Sequence, residues 1–346
     1  GYPITPQSEI LEYLAAEARQ RGMIVMQVES ELAAINMVYG GAGAGARVMT
    51  SSSSPGISLM QEGLSYIACT ELPCLVVNIN RGGPGLGTIQ PAQGDYFQAT
   101  KGGGHGDYHL IVLAPASVQE MSDLVYLGFD LADKYRNPVM ILADGALGQM
   151  MEKVEFPNYD PKEHIPAKPW ATTGKTKDRE RNILTSLHMQ PEKMEEINRH
   201  LQKKYQRITD EVVRYQLVQP EDADIVVVAY GLSARICHTA VELARGMGKR
   251  VALLRPVTLW PYPYEALRKM REKLRAALVV EMNAGQMVED VRLGIEGAAP
   301  VHFYGRMGGI IPTPEEVLNE ILRISEHPGD GVAGHEHRMS IIEETR

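Results

Sequence analysis

"ESELAAINMVYGGAGAGARVMTSSSSPG", residues 29–56, poses the question on which the fold turns. Two acids, Glu29 and Glu31, precede a stretch with almost no side chains: nine of the fourteen residues 33–46 are Gly or Ala. Ser30 is a good helix cap, so the small residues read as a helix that opens at Glu31. Such a surface lets another backbone, or a flat ligand, come close. The strand-like "RVMTS" follows. "TSSSSPG" then leads into a second helix, with Pro55 in its first turn and Ser53 or Ser54 as the cap, a place where an anion or cofactor edge could also be held.

Outward from this segment the same alternation repeats. Apolar runs at 23–28, 47–51, 75–80, 110–114 and 139–143 are interleaved with helical stretches at 8–20, 57–69 and 118–135. Continuous apolar strands alternating with helices predict a parallel sheet covered on both faces. Residues 1–157 therefore read as a doubly wound α/β domain. Four more strand–helix repeats, "DIVVVAYG", "KRVALLRPV", "ALVVEMN" and "VHFYGR", predict a smaller parallel α/β domain over 222–325. Between the two, 158–221 is a connector in which Met194, Ile197, Leu201, Tyr205, Ile208, Val212 and Tyr215 recur every three or four positions. That is one apolar face of a long helix, packed either across the chain's own domains or onto a partner chain. Residues 326–346 read as a surface or partner-contacting tail, and the opening "GYPITP" as entered partway through a longer chain.

Composition removes several function classes. The 346 residues carry a net charge of −8 and three cysteines, Cys69, Cys74 and Cys237. An acidic balance argues against a nucleic-acid partner, and no apolar run is long enough to span a bilayer. An iron–sulfur cluster takes four thiolates, one more than this chain has. The reading is a cytoplasmic protein with reduced, buried thiols. Motifs for nucleotides fail: "TTGKT" lacks the first glycine of a phosphate loop and a preceding strand, and "GGAGAGA" lies late in a helix. His105 and His109 sit among glycines, in a loop, and read as an exposed or hydrogen-bonded pair.

Three places resist a purely structural reading. Glu31 stands on the first turn of its helix, either as a dipole partner or as a functional acid. Arg81 leaves an apolar strand for the glycine-rich "RGGPGLGT", at the strand end where ligands bind in doubly wound sheets. Its fork of donors suits a carboxylate, and the structural alternative is a pair with an acid such as Asp95. Thr5, between Pro3 and Pro6, carries a hydroxyl on a stiffened loop, able to meet substrate or to cap the next helix.

With those residues in view, "GYPITPQSE", "ESELAAINMVYGGAGAG", "TSSSSPGISLMQEG", "NRGGPGLGTIQPAQGDYFQATKGGGHGDY" and "RNPVMILADG" resemble the alpha subunit of 2-oxoacid:ferredoxin oxidoreductases. The likeness continues around "VAYGLSAR" and "GRMGG", and is greatest to the 2-oxoisovalerate (branched-chain) branch. It implies a pyrimidine-type thiamine-diphosphate-binding domain followed by a domain like the C-terminal one of transketolase. It places the cofactor-contacting groups on Glu31 and Pro3, with Glu31 on N1′ of the aminopyrimidine, and the substrate contacts on Thr5 and Arg81. It further implies a beta subunit supplying the diphosphate and Mg2+ site, gamma and delta subunits, 4Fe–4S clusters in those partners, and coenzyme A and ferredoxin as co-substrates. In that family a further segment leads into "GYPITP", which fits the expectation that the sequence is entered partway. Near Arg81 the loop offers Leu86 and Ile89, with Lys101 the one nearby cation, which favours a branched aliphatic 2-oxoacid over 2-oxoglutarate. A thiamine-diphosphate enzyme of another reaction type is a further alternative.

Overall fold

The structure is a computed structural model that describes residues 1–175 and 177–329; of the expected tail, residues 330–346 lie outside the described residues. Its strands, in chain order, are β1 (Met49–Ser52), β2 (Cys74–Asn80), β3 (Ile111–Leu113), β4 (Pro138–Asp144), β5 (Tyr215–Val218), β6 (Ile225–Val228), β7 (Val251–Pro256), β8 (Thr258–Trp260), β9 (Ala276–Glu281) and β10 (Val301–Gly305). They form two five-stranded sheets, ordered β1-β2-β4-β3-β8 and β10-β9-β6-β7-β5. Each sheet is parallel apart from one antiparallel edge strand, β8 in the first and β5 in the second.

The central pair of the first sheet shows why these residues are strands. β2 (CLVVNIN) and β4 (PVMILAD) are buried at every position, in a register that sets Leu75 beside Val139 and Asn80 beside Asp144. Alternate side chains enter opposite layers, so a strand covered on both faces must be apolar throughout. Val76, Met140 and Val112 meet Ile35 and Val38 of helix Glu31–Gly43 and Ile57, Met60 and Leu64 of helix Ser54–Cys69. Leu75, Val139 and Ile141 meet Leu124 and Leu131 of helix Val118–Tyr135 on the other face. The two helices of the first layer approach closely at Gly63, where a methyl group would lie 2.6 Å from Ile35 Cγ2. Overpacking of that kind typically costs about 1–3 kcal/mol.

Three features bear on the reading of the periodicity. Residues 23–28 are not a strand: they run beside the first residue, with Gly1 N donating to Met26 O at 2.8 Å and Val28 N to Gly1 O at 3.0 Å. Ile24 and Met26 are 91% and 52% exposed, so apolar character there does not reflect burial in this chain. The helix predicted in the connector exists as Pro191–Val212, and its apolar face packs on its own first sheet: Leu201, Tyr205, Ile208 and Val212 join the cluster of Leu75 and Val139. Burying each such side chain is worth roughly 1.5–3 kcal/mol, enough to hold the helix without a partner chain. Met194 begins the face, whereas Tyr215 heads β5 beyond the helix end. Finally, β5 and β8 are short edge strands that the apolar pattern does not reveal. Through β8, residues 258–260 extend the first sheet from within the second half of the chain.

Candidate active site

Parallel strands β1, β2 and β4 end together, and the candidate residues collect at those carboxyl ends. Glu31 occupies the first turn of its helix, where Ser30 Oγ caps by accepting from Ala33 N at 3.3 Å. Its side chain turns inward: Glu31 is 4% exposed. Among the described residues its carboxylate receives one hydrogen bond, from Ser52 Oγ at 3.3 Å. A first-turn acid gains about 0.3–1 kcal/mol from the helix dipole, while withdrawing a carboxylate from water costs several kcal/mol unless well paired. The dipole alone therefore does not account for this burial. Across from it, Gly56 opens helix Ser54–Cys69, and a methyl group there would overlap Ser52 Oγ and Glu31 Oε1 and lie 2.7 Å from Glu31 Cδ.

The four serines between the acid and the arginine are each spent on different partners. Ser51 Oγ donates to Gln7 Oε1 at 2.6 Å, Ser52 to Glu31, and Ser53 to Ile79 O at 2.7 Å. Ser54 Oγ reaches Asn80 Oδ1 and Arg81 O, both at 3.3 Å, and accepts from Arg81 N at 3.1 Å. This corrects the capping expectation: Ser53 holds the N-cap position, yet its hydroxyl makes no cap bond because the β2 carbonyl takes it. The serine turn is thus the strut between Glu31 and Arg81.

Arg81 is 8% exposed and follows the last residue of β2. Its guanidinium donates to Thr5 O and Leu86 O, each at 2.9 Å, and its Nε–H is buried without a partner. Asp95 is not its counter-ion: that carboxylate accepts from Asn78 Nδ2 at 2.9 Å. Burial pushes the Asp95 carboxyl up, against the hydrogen bonds from Ser54 and Asn78. The structure brings Thr5 to Arg81 through the Thr5 carbonyl, while Thr5 itself is exposed, as is Pro3 in the same opening segment.

Several residues of this region escaped the sequence reading. Asn78, Asn80 and Asp144 are buried polar groups at the ends of otherwise apolar strands, with Asn78 Oδ1 and Asn80 Nδ2 unpartnered. Unpaired buried groups cost roughly 1–3 kcal/mol each, so they mark places that structure alone does not favour. The signal was present in "LVVNIN" and "MILAD", where polar residues interrupt fully buried strands. Asp144 caps helix Gly145–Gln149 by accepting from Ala146 N and Leu147 N at 3.0 and 3.1 Å. Burial pushes its carboxyl up to about 6, opposed by the N–H groups of Leu147, Ala146 and Leu232.

Other groups lie apart. Cys74 and Cys237 are buried, and desolvation pushes the Cys74 thiol up to about 12. His109 stacks on Trp260 with centroids 4.4 Å apart, whereas His105 meets Tyr66 edge-on. Lys101 pairs with Asp290 at 2.6 Å across the interface between the two sheets' layers. Among the described residues no helix is long and apolar enough to cross a membrane.

Comparison with known proteins identifies the family. The family described as pyruvate flavodoxin/ferredoxin oxidoreductase, thiamine diphosphate-binding, matches residues 1–216, and pyruvate:ferredoxin oxidoreductase core domain II matches 223–317. The ketoisovalerate oxidoreductase subunit VorB of Methanothermobacter thermautotrophicus is 49% identical over 95% of this chain and 93% of its own. The 2-oxoglutarate synthase subunit KorA of Methanothermobacter marburgensis is 38% identical over 93% of this chain and 92% of its own. Among solved structures, the 2-oxoglutarate:ferredoxin oxidoreductase from Magnetococcus marinus, with 2-oxoglutarate, coenzyme A and succinyl-CoA bound, superposes with a TM-score of 0.80 at 29% identity. That match covers 94% of this chain and 61% of the longer solved chain. The chain belongs to the thiamine-diphosphate-binding 2-oxoacid:ferredoxin oxidoreductases, as a subunit.

Proposed function

We propose that this chain is the alpha subunit of a coenzyme A-acylating 2-oxoacid:ferredoxin oxidoreductase that acts on a branched aliphatic 2-oxoacid. The products are carbon dioxide, an acyl-CoA and reduced ferredoxin. The carrying observation is Glu31: a carboxylate withdrawn from water at the carboxyl end of a parallel sheet, with one 3.3 Å hydrogen bond, beside a glycine whose missing side chain leaves it room. Thiamine diphosphate, when bound, supplies a carbon nucleophile for the 2-oxo carbon and a sink for the electrons released by decarboxylation.

This chain's residues would then act around it. Glu31 holds or passes a proton at its Oε atoms, facing N1′ of the aminopyrimidine, while Ser52 Oγ keeps the carboxylate in place. Pro3 lines the cofactor from the opening segment. Arg81 presents its remaining donors to the substrate carboxylate, and Thr5 adds its hydroxyl. Such a role contributes chiefly by positioning. The diphosphate, Mg2+ and 4Fe–4S clusters are assigned to beta, gamma and delta partners in the cytoplasm. We keep the division into 1–157, 158–221 and 222–325 as the working domain boundaries.

Preference for a branched side chain over a second carboxylate is supported by Lys101. Its ammonium is held by Asp290 at 2.6 Å, so the cation nearest Arg81 in sequence already has a counter-charge. Leu86 and Ile89, 78% and 55% exposed on the Arg81 loop, are apolar. 2-Oxoglutarate is the runner-up, because relatives at 38% identity carry that name.

The test is Glu31→Gln in the assembled complex. Turnover with coenzyme A and a viologen acceptor should fall by about a hundredfold or more, the scale of a lost proton-transfer group, with subunit stoichiometry unchanged. Full activity in that variant would reject the role of Glu31. Comparing 2-oxoisovalerate with 2-oxoglutarate in the unmodified complex tests the substrate.

A further inference from the structure

Arg81 opens a hairpin, residues 81–91. An Arg81–Pro91 bridge closes its foot, with Gly82 N donating to Gln90 O at 2.9 Å and Thr88 N to Gly82 O at 2.8 Å. One of the arginine's two carbonyl partners, Leu86 O, belongs to this same hairpin, so that bond shapes the hairpin without locating it. Thr5 O and the Ser54 hydroxyl hold Arg81 itself from the first half, and the rest of the hairpin is placed against the second α/β half of the chain. A methyl group on Gly82 would lie 2.9 Å from Gly308 C and 3.0 Å from Gly309 N, and one on Gly309 would overlap Gln90 Cβ. Both legs of the hairpin thus rest on the loop after β10.

Two residues past the foot, Gln93 is 3% exposed, and all its polar atoms bond to that second half. Its N donates to Met282 O at 3.0 Å, and its O accepts from Asn283 Nδ2 at 2.8 Å. Nε2 donates to Tyr230 O at 2.9 Å, while Oε1 accepts from Ser233 Oγ at 2.8 Å and Met282 N at 3.0 Å. These partners are themselves braced. Asn283 Nδ2 also donates to Glu281 Oε2 at 2.9 Å, and the fully buried Glu281 accepts from the N–H groups of Met287 at 2.8 Å and Val288 at 3.0 Å. A binding arginine has to be held to about half an ångström, and only a rigid support outside its own loop can do that.

We infer that Gln93 is a positioning residue for Arg81, and that the second α/β half serves the site by clamping the arginine hairpin through it. This rests on the proposed carboxylate-binding role of Arg81. Loosening the clamp removes binding that ground state and transition state share, so KM for the 2-oxoacid moves while kcat does not.

The experiment uses the assembled complex and steady-state kinetics on Gln93→Met, Ser233→Ala, Arg81→Ala and their combinations. Gln93→Met should raise KM for the 2-oxoacid about tenfold and Ser233→Ala about threefold, with kcat and KM for coenzyme A held within about twofold. Tyr96→Phe is the control: it loses a buried 2.7 Å bond to Asp290 across the same interface without touching the hairpin, and its KM should stay put. In the Arg81→Ala background, Gln93→Met and Ser233→Ala should add nothing. A KM unmoved by either variant, or a loss that multiplies fully with that of Arg81→Ala, overturns the inference. If Gln93→Met does not assemble, Ser233→Ala decides by the same two readings. If Arg81→Ala alone leaves KM unchanged, the role of Arg81 is the part that fails, and the positioning role goes with it.

Discussion

The Thr5 carbonyl oxygen accepts a hydrogen bond from the Arg81 guanidinium at 2.9 Å, joining residues 76 positions apart. An arginine has five N–H donors in a fixed fork. Here one goes to Thr5 O, one to Leu86 O, and the Nε–H has no partner. Among the described residues, the side chain is therefore oriented by backbone and not neutralised by an acid. A buried cation held in that way has capacity left for an anion.

Arg81→Lys tests that capacity. A lysine ammonium is a point charge that cannot span two carbonyls and a carboxylate with the arginine's geometry. We expect kcat/KM for the 2-oxoacid to fall by about a hundredfold, corresponding to roughly 2.7 kcal/mol, while the melting temperature of the complex changes little. Steady-state kinetics with saturating coenzyme A reads it, and an unchanged kcat/KM would remove the substrate role.

Gly56→Ala tests the crowding around Glu31. Ala is the better helix former by about 1 kcal/mol, yet here its methyl group would overlap Ser52 Oγ and Glu31 Oε1. Either the carboxylate or the serine has to move, at about 1–3 kcal/mol. Turnover should drop by at least about tenfold, since misplacement on this scale is costly, with the sheet intact by circular dichroism. Retained full turnover would mean that the position of the carboxylate does not matter.

Asp144 predicts a pH dependence. Burial raises its folded pKa to about 6 from the ordinary 3.8. Between these values the folded state binds more protons than the unfolded one, so this group's contribution to stability declines as pH rises. The penalty is absent below pH ~4 and complete above pH ~6, at roughly 3 kcal/mol for a shift of about two units. Asp144→Asn can keep the cap through its side-chain oxygen and carries no charge. Denaturant titrations should show the variant equal to the parent near pH 4 and more stable near pH 7. A difference that does not grow with pH would contradict the shift.

Much of the architecture was legible in the residues. The strands "CLVVNIN" and "PVMILAD" can be apolar throughout only where helices cover both faces, and the spacing of Leu201, Tyr205, Ile208 and Val212 demanded a helix. Motif strings were specific enough to carry the family. Residues 23–28 misled, because composition reports apolar character and not whether a neighbouring strand exists to pair with it. β5 and β8 were invisible, because three or four residues at a sheet edge carry too little pattern.

By itself, then, the order of residues determined the local periods and the chemistry on offer, since those depend on near neighbours along the chain. Which groups meet was decided only by tertiary packing. It turned Glu31 away from water onto Ser52, spent each of four adjacent serines on different partners, and set Gln93 and the Arg81 hairpin against Met282 and Gly309. Such contacts join residues tens to hundreds of positions apart, and no local preference encodes them. They follow from how two twisted sheets and their helices close around a common core.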